Sequence, residues 1–287
     1  MSTSLIERLG HPADARLVIL NLDDFGAMHA TNVGIIDALR SGAASTTTLM
    51  VPCPWAAEAA SMLEPGDDVG VHLTVTSEWA AYRWGPLTGS RVLCAADGRM
   101  HRTVDACHQA VVAAGSTGFA ELRAECRAQI EQALAWGVDV SHLDAHMGVM
   151  QTHPEFLDVY LDLAAEYALP LRMLSAGAEQ HLGLSGRVAA AERGLVFPDH
   201  MLMTYLDARP TIESGLASLR PGVTEFLLHP SLDSEELRVA CNDAEERVAN
   251  QSFLMGPGSF AEQVAAHGAT MIGYRALRDL QRGLVAA

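Results

Sequence analysis

The apolar residues of this chain recur with two spacings, which predict alternating strands and helices. Nearly continuous apolar runs at residues 16–22 and 69–75 are typical of strands buried on both faces of a parallel sheet. A threonine-rich strand is predicted between them at 46–51. The helix that follows the first strand would be capped by Thr31 or Asn32. The opening third of the sequence therefore predicts a β-α-β-α-β order.

Regular spacing is lost between residues 77 and 118, among several Trp, Gly and Pro residues. An insertion of this length is usually functional in a compact domain, so we expect a lid or a substrate wall there. Outside the insertion the alternation continues. Further strands are predicted near 138–143, 169–173, 194–197, 224–228 and 269–272. Further helices are predicted near 55–63, 119–136, 154–167, 211–219, 260–267 and 274–282.

The order of these elements predicts the fold class. About seven strand and helix units follow one another without a linker or an internal repeat. This pattern predicts a single α/β domain over residues 1–287 with a barrel-like parallel sheet, and an open doubly wound sheet is the alternative. The glycine fingerprint of dinucleotide binding is missing after the first strand, where Asp23 and Asp24 stand instead.

The net charge of the chain argues against some classes of binding partner. The 287 residues include 35 acidic and 19 basic ones, which gives a formal net charge of −16. A field of this sign repels phosphate groups and anionic lipids, so neither nucleic acid nor a membrane is expected as a partner. Five scattered cysteines and the absence of an apolar leader pattern predict a cytoplasmic protein with reduced thiols. A homodimer is the base-rate expectation.

Ionisable side chains stand at the ends of four predicted strands: Asp23 and Asp24, His72, Asp144 and His146, and His229. Because the carboxyl ends of parallel strands meet at one crevice, these side chains are candidates for a single site. Two adjacent carboxylates raise one another's pKa unless a charge neutralises them, and a divalent cation would do so. One carboxylate and two imidazoles would hold such an ion and leave positions for water and substrate.

Several of these residues also have a purely structural interpretation. The acids after the first strand could form a turn that caps a helix, and His72 could be a core histidine. Strand alternation places His142, Asp144 and His146 on one side, so Asp144 could orient a ligating imidazole. Arg172 could orient a carboxylate or form a surface ion pair.

Five sequence blocks, in this order, resemble those of the YdjC-like carbohydrate deacetylase family, to which chitooligosaccharide deacetylases belong. The blocks are 21–26 (NLDDFG), 32–35 (NVGI), 45–51 (STTTLMV), 70–74 (GVHLT) and 142–146 (HLDAH). The resemblance implies a distorted (β/α) barrel, similar to a TIM barrel and with about seven strands. It also implies a divalent-metal site that removes an N-acetyl group from an amino sugar or a small glycoconjugate.

The resemblance assigns a role to each candidate, position by position. The matches to the metal ligands are Asp24, His72 and His146. The match to the general base is Asp23, and the match to the general acid is His229. Supporting or substrate-binding roles are expected for Asp144, Arg172 and Thr46. A carboxylate with two imidazoles favours zinc over magnesium, which prefers oxygen ligands.

The chain departs from the family pattern after His146, where Met147, Gly148 and Met150 stand in place of further histidines. The expected ligand is retained, so metal binding is expected, but the adjoining wall is softer and less polar. A metal amidohydrolase acting on a non-sugar N-acyl substrate is therefore an alternative. A catalytically silent sugar-binding protein is another, although such a protein would not need Asp23 and His229.

Overall fold

The structure is a computed structural model that describes residues 4–204 and 208–283. Within these residues seven parallel strands form one sheet. The strands are β1 (Arg16–Phe25), β2 (Thr46–Leu49), β3 (Val69–Leu73), β4 (Val140–Ala145), β5 (His200–Leu202), β6 (Gly222–Leu228) and β7 (Thr270–Met271). Their order is β4-β3-β2-β1-β6-β5, and β7 pairs with the beginning of β1. The predicted single α/β domain is confirmed as a distorted half-barrel.

Strand β1 lies at the centre of the sheet because its run of apolar residues can be buried on both faces. It pairs with β6 along one edge and with β7 and then β2 along the other. The C-terminal half of β1 therefore lies between two neighbours that also end at the same side of the sheet. Loops after β1, β3, β4 and β6 share this side, which is the arrangement that gathers a site.

Helices surround the strands throughout the described residues. They are α1 (Leu5–Arg8), α2 (His29–Arg40), α3 (Ala56–Met62), α4 (Val104–Ala113), α5 (Gly115–Ala135), α6 (Pro154–Glu166), α7 (Ala176–Leu182), α8 (Gly186–Glu192), α9 (Ala208–Ala217), α10 (Glu235–Ala240), α11 (Ala244–Met255), α12 (Phe260–Ala266) and α13 (Tyr274–Gln281). A 3-10 turn covers His146–Gly148. Among the described helices, none combines the length and the apolar composition that a bilayer crossing needs.

Two of the predicted strands, at 169–173 and 194–197, do not form regular strands in the structure. Residues 169–173 form one isolated bridge, in which Arg172 N donates to Leu143 O at 2.9 Å. In the segment 194–197, Gly194 lies in a turn with a φ of 72°, and Val196 O accepts a single hydrogen bond from Leu171 N at 3.2 Å. Pro170 has no N–H and cannot donate to a strand ladder, which limits the pairing. The sheet is therefore open between its two end strands, β4 and β5. The short strand β5, which was not predicted, comes after these two segments along the chain.

The insertion after β3 is not irregular over its whole length. Helix α4 occupies its C-terminal part, capped by Thr103, whose side chain accepts a hydrogen bond from Ala106 N. Cys107 and Val111 are the buried residues of α4, and this short apolar stripe was too weak to predict a helix. Residues 77–103 are irregular, as expected. The helices α1, α7, α8, α10 and α11 also went unpredicted.

The predicted cap of α2 is wrong. The helix begins at His29 after Met28, which provides no side-chain cap, and Thr31 and Asn32 lie inside it. Asn32 Oδ1 instead accepts a hydrogen bond from Gly26 N at 2.7 Å, so it fixes the turn that follows β1. This turn carries the first candidate residues of the site.

We predict that Gly70→Ala destabilises the fold. A Cβ at Gly70 would lie 2.6 Å from the His142 ring and 2.7 Å from His142 O, where β3 approaches β4. Overpacking of this kind costs about 1–3 kcal/mol in the free energy of unfolding, which urea denaturation measures. Gly177→Ala is the control, because it lies in α7 with no atom within 4 Å of its Cβ position. An equal midpoint for the two variants would contradict the close approach.

Candidate metal centre

Two consecutive carboxylates reach the same crevice at the end of β1. In a regular strand Asp23 and Asp24 would point to opposite faces. Asp24 instead has a φ of 71°, and the pairing of β1 with β2 shifts register between Leu22 and Phe25. A left-handed non-glycine residue is strained, although a short polar side chain tolerates it better than most. The strained backbone therefore turns both carboxylates toward the open end of the sheet.

Three side chains converge on this point. His72 Nε2 lies 3.4 Å from Asp24 Oδ1, and His146 Nδ1 lies 3.3 Å from the same oxygen. Their ligand atoms all lie within 4.8 Å of one another, and all three residues are buried. Ligand atoms bound at about 2.1 Å in a tetrahedral arrangement stand about 3.4 Å apart, so the spacing fits a metal ion. A second overlapping group, Asp23 with His72 and Asp144, satisfies the same distance limit.

Among the described residues, one carboxylate oxygen of this cluster lacks a hydrogen-bond donor. Asp24 Oδ1 is buried and, within the described part of the chain, receives no hydrogen bond of good geometry. Asp24 Oδ2 pairs with Arg247 Nη2 at 2.8 Å. Burial alone would raise the pKa of Asp24, but Arg247 and the two imidazoles hold it well below its usual range. A buried, ionised carboxylate oxygen without a donor is a natural position for a cation.

Each imidazole has a carboxylate on its other nitrogen. Asp144 Oδ1 lies 2.7 Å from His72 Nδ1, and Glu78 Oε2 lies 2.9 Å from His146 Nε2. Burial opposes protonation, but Asp144 raises the pKa of His72 to about 9 and Glu78 raises the pKa of His146 to about 10. Negative charge therefore exceeds positive charge around both rings.

Arg172 is not on the surface but is buried beside the site. It forms a bidentate pair with Asp23, with Nη1 at 2.7 Å and Nη2 at 2.8 Å from the two carboxylate oxygens. Its Nη1 also lies 2.9 Å from Asp144 Oδ2, and its Nε donates to Glu225 Oε1 at 2.8 Å. Burial would raise the pKa of Asp23, but Arg172 lowers it strongly, so Asp23 is ionised. Of its two sequence-based interpretations, the one in which Arg172 orients a carboxylate fits this geometry.

Thr46, expected to support the site or bind substrate, lies away from the other candidate residues. Thr46 Oγ1 donates to Asp68 O at 3.0 Å, at the beginning of β2, and makes no contact with the clustered acids and histidines. Thr48, two residues further toward the strand end, has the contacts instead: its Oγ1 donates to Asp144 Oδ2 at 2.9 Å. The threonine run in the sequence could not distinguish these positions without the register of β2.

The two remaining histidine predictions have different outcomes. His229 follows β6, and its Nε2 lies 3.8 Å from Asp23 Oδ2. Burial lowers the pKa of His229 although Asp24 and Asp23 act in the opposite direction. His142 does not lie with His146 in the crevice; its ring stacks on Tyr274 with centroids 3.8 Å apart. His146 belongs to the 3-10 turn beyond β4, so the alternation that was expected to align the two rings has ended.

Sequence reasoning missed three residues of the site. Glu78 follows the end of β3 and could have been included by the same strand-end rule. Glu225 is an acid inside the apolar strand β6, and a charge in such a run needs a buried partner, here Arg172. Arg247 lies on α11, and no local pattern marks it.

A cavity of about 380 Å³ opens beside these residues. Asp23, Asp24, Glu78, His229 and Arg247 are among its polar lining residues. Its apolar lining residues, here called the apolar wall, include Met147, Leu174, Met201, Met203 and Leu227. The cavity is at the small end of the range for ligand pockets.

Comparison with known proteins identifies the family. The family described as YdjC-like protein matches residues 17–265. The chain belongs to this family. A carbohydrate deacetylase of Vibrio vulnificus strain CMCP6 is 30% identical over 244 residues, which cover 83% of this chain and 87% of that protein. A carbohydrate deacetylase of Thermoanaerobacter pseudethanolicus is 26% identical over 77% of this chain and 84% of that protein.

Among solved structures, a protein from Enterococcus faecalis V583 has a similar fold. That protein is assigned provisionally as a cellobiose-phosphate cleavage protein. It is 26% identical, has a TM-score of 0.78, and covers 92% of this chain and 99% of its own. The family and the fold predicted from the sequence blocks are therefore both confirmed.

We predict that removing Arg172 destabilises this YdjC-like domain. Arg172→Met would leave Asp23, Asp144 and Glu225 buried without their common partner, at a cost of roughly 3–5 kcal/mol in the free energy of unfolding. Arg172→Lys keeps the charge but loses the bidentate geometry, so an intermediate loss is expected. Chemical denaturation measures both. Arg238→Met, which removes an exposed pair with Asp233, is the control and should change little. Equal stability of Arg172→Met and wild type would contradict the role of Arg172.

Proposed function

We propose that this protein is a metal-dependent hydrolase that removes an N-acetyl group from an amino sugar or a small glycoconjugate. The single observation that carries the proposal is the convergence of Asp24, His72 and His146 beside Asp23 and His229. The curated relatives are enzymes named carbohydrate deacetylase, which agrees with the class predicted from the sequence.

Asp24, His72 and His146 would hold the divalent ion through Asp24 Oδ1, His72 Nε2 and His146 Nδ1. Two nitrogen ligands favour zinc over magnesium. Such an ion would supply Lewis-acid chemistry by acidifying water and by polarising the acetamide carbonyl. The buried ligands exclude bulk water, which strengthens these electrostatic effects.

Asp23 is the proposed proton acceptor. Arg172 holds both of its oxygens and keeps it ionised, so it is ready to take a proton from the attacking water. The low pKa that Arg172 imposes makes Asp23 a weak base, which is sufficient only if the water itself is acidified. The strong Asp23–Arg172 pair therefore fits a metal-assisted reaction better than an unassisted one.

His229 is the proposed general acid for the departing amine. Its Nε2 lies 3.8 Å from Asp23, and it lines the same cavity. Because burial lowers the pKa of His229, its protonated form is a stronger acid than a free imidazolium. The proton that Asp23 takes from water can pass to Nε2 of the neutral His229, and from His229 to the departing nitrogen when the C–N bond breaks, leaving acetate and a free amine.

A second candidate is a metal amidohydrolase whose substrate carries an apolar group beside the amide. The apolar wall favours it. Met147 is 44% exposed and Met203 is 59% exposed, and their thioethers cannot donate hydrogen bonds to sugar hydroxyls. The same metal chemistry would serve both candidates, and only the group bound against this wall would differ.

The two aspartates are predicted to fail in different ways. Asp24→Asn should lose both metal and acetate release, because a ligand is lost while asparagine still tolerates the left-handed backbone. Asp23→Asn should retain the metal but release acetate about 10²–10⁴-fold more slowly. Elemental analysis and an acetate assay on N-acetylglucosamine oligosaccharides measure the two effects.

Asp233→Asn, which changes an exposed acid far from the cluster, is the control for both variants. Full acetate release by Asp23→Asn, or full metal content in Asp24→Asn, would contradict the assigned roles. A metal-loaded wild type that releases no acetate from any N-acetylated compound would favour the silent sugar-binding alternative.

The apolar wall predicts substrate preference. N-acetylglucosamine joined to an alkyl or aryl group should be turned over with a lower KM than the free sugar, since the added group can bury surface against Met147 and Met203. Met203→Gln should reduce this advantage without changing the rate on the free sugar. A panel of free, oligomeric and alkyl-linked N-acetylglucosamine, with non-sugar acetamides, separates the candidates. Equal KM values across alkyl chain lengths would refute a role for the wall.

A further inference from the structure

We propose that Glu78 is a positioning residue for the metal centre, which fixes the ring of His146 so that Nδ1 faces Asp24. The inference rests on the proposed function, because it assumes that His146 is a metal ligand. It goes beyond that function in assigning to the insertion after β3 a part in holding the ion.

The contacts of the His146 ring carry the proposal. His146 Nε2 lies 2.9 Å from Glu78 Oε2, whereas His146 Nδ1 lies 3.3 Å from Asp24 Oδ1. A neutral imidazole carries one proton, and an ionised carboxylate can only accept a hydrogen bond. When His146 is neutral, as a metal ligand must be, the remaining proton is therefore held on Nε2, which donates to Glu78. The lone pair of Nδ1 is then free for a cation.

His72 shows the same arrangement with the nitrogens exchanged. Its Nδ1 lies 2.7 Å from Asp144 Oδ1, and its Nε2 lies 3.4 Å from Asp24 Oδ1. Both imidazoles thus have a carboxylate on one nitrogen and the shared oxygen of Asp24 near the other. A carboxylate behind a ligating histidine fixes the ring and increases its basicity. The repetition makes an accidental contact at Glu78 a poor explanation.

The backbone around Glu78 is held firmly enough to position a ring. Arg102 Nε donates to Glu78 O at 3.1 Å, and Ser77 N donates to His101 O at 2.8 Å. Trp84 Nε1 donates to Thr76 O at 2.9 Å. These bonds tie the first and last parts of the irregular segment together. The segment is therefore joined to the metal centre through Glu78.

Glu78 is not placed as a further ligand. It contacts the ring nitrogen that faces away from Asp24, so the ring of His146 stands between Glu78 and the shared oxygen. Glu78 also lines the cavity, where its side chain is partly exposed. Its loss would therefore leave the three ligands present but one ring unfixed.

The test measures the affinity for zinc by competition with a chromophoric chelator, without any substrate. Glu78→Ala should weaken zinc binding roughly 10–100-fold. Glu78→Gln keeps an oxygen acceptor for Nε2–H and should stay closer to wild type than to Glu78→Ala. Glu155→Ala, which removes an exposed carboxylate 4.0 Å from His153, is the matched control and should bind as wild type. Circular dichroism of each variant confirms folding.

The outcomes are separable. Wild-type affinity in a folded Glu78→Ala would overturn the inference and leave the proposed function intact. Equal losses in Glu78→Gln and Glu78→Ala would also overturn it, because a hydrogen-bond acceptor would then not suffice to position the ring. No zinc binding by the wild type, or unchanged binding in Asp24→Asn, would overturn the proposed metal site together with this inference.

Discussion

The balance of buried charge at the open end of the half-barrel governs the rest of the structure. Arg172 contacts the carboxylates of Asp23, Asp144 and Glu225, and Arg247 contacts those of Asp24 and Asp243. A further carboxylate, that of Glu78, faces His146, so the carboxylates outnumber the guanidinium groups. The excess negative charge can be offset either by protons on the two neighbouring imidazoles, whose pKa values are raised accordingly, or by a divalent cation. Protons and metal therefore compete for the same place.

This charge deficit explains why so many elements meet at the site. A buried carboxylate is costly alone, so each one here is held by a partner from a distant part of the chain. Arg172 joins Asp23 of β1 to Glu225 of β6, and Arg247 of α11 reaches Asp24. The fold closes around these pairs, although the sheet itself remains open on one side.

The sequence allowed the strand ends to be predicted but not the pairs between them. Asp24, His72 and His146 were predicted to lie together because acids and histidines interrupt apolar runs where parallel strands end, and their side chains do converge. Thr46 was named as a supporting residue and Thr48 was not considered, because a run of threonines carries no register, and register is set by the pairing of β2 with its neighbours. Arg247 gave no signal, since its partner Asp24 is more than two hundred residues away.

The strands and helices were also predictable only where local sequence pattern, and not long-range pairing, determines them. Strong apolar periodicity predicted β1, β3 and α5, whereas the segments at 169–173 and 194–197, which were predicted as strands, make only isolated pairings. Their composition is strand-like, but Pro170 and the open geometry of the sheet limit their pairing. Local pattern predicts which residues are buried. Long-range pairing decides whether a ladder forms.

The turn after His146 brings different residues to the cavity wall and to the proposed metal site. Met147 and Gly148 have φ values of 54° and 66°, so the backbone turns sharply just beyond the proposed ligand. This turn leaves His146 in the crevice and places Met147 in the cavity wall. Replacement of histidines by methionines at this position can therefore alter what the cavity binds while Asp24, His72 and His146 keep their mutual distances.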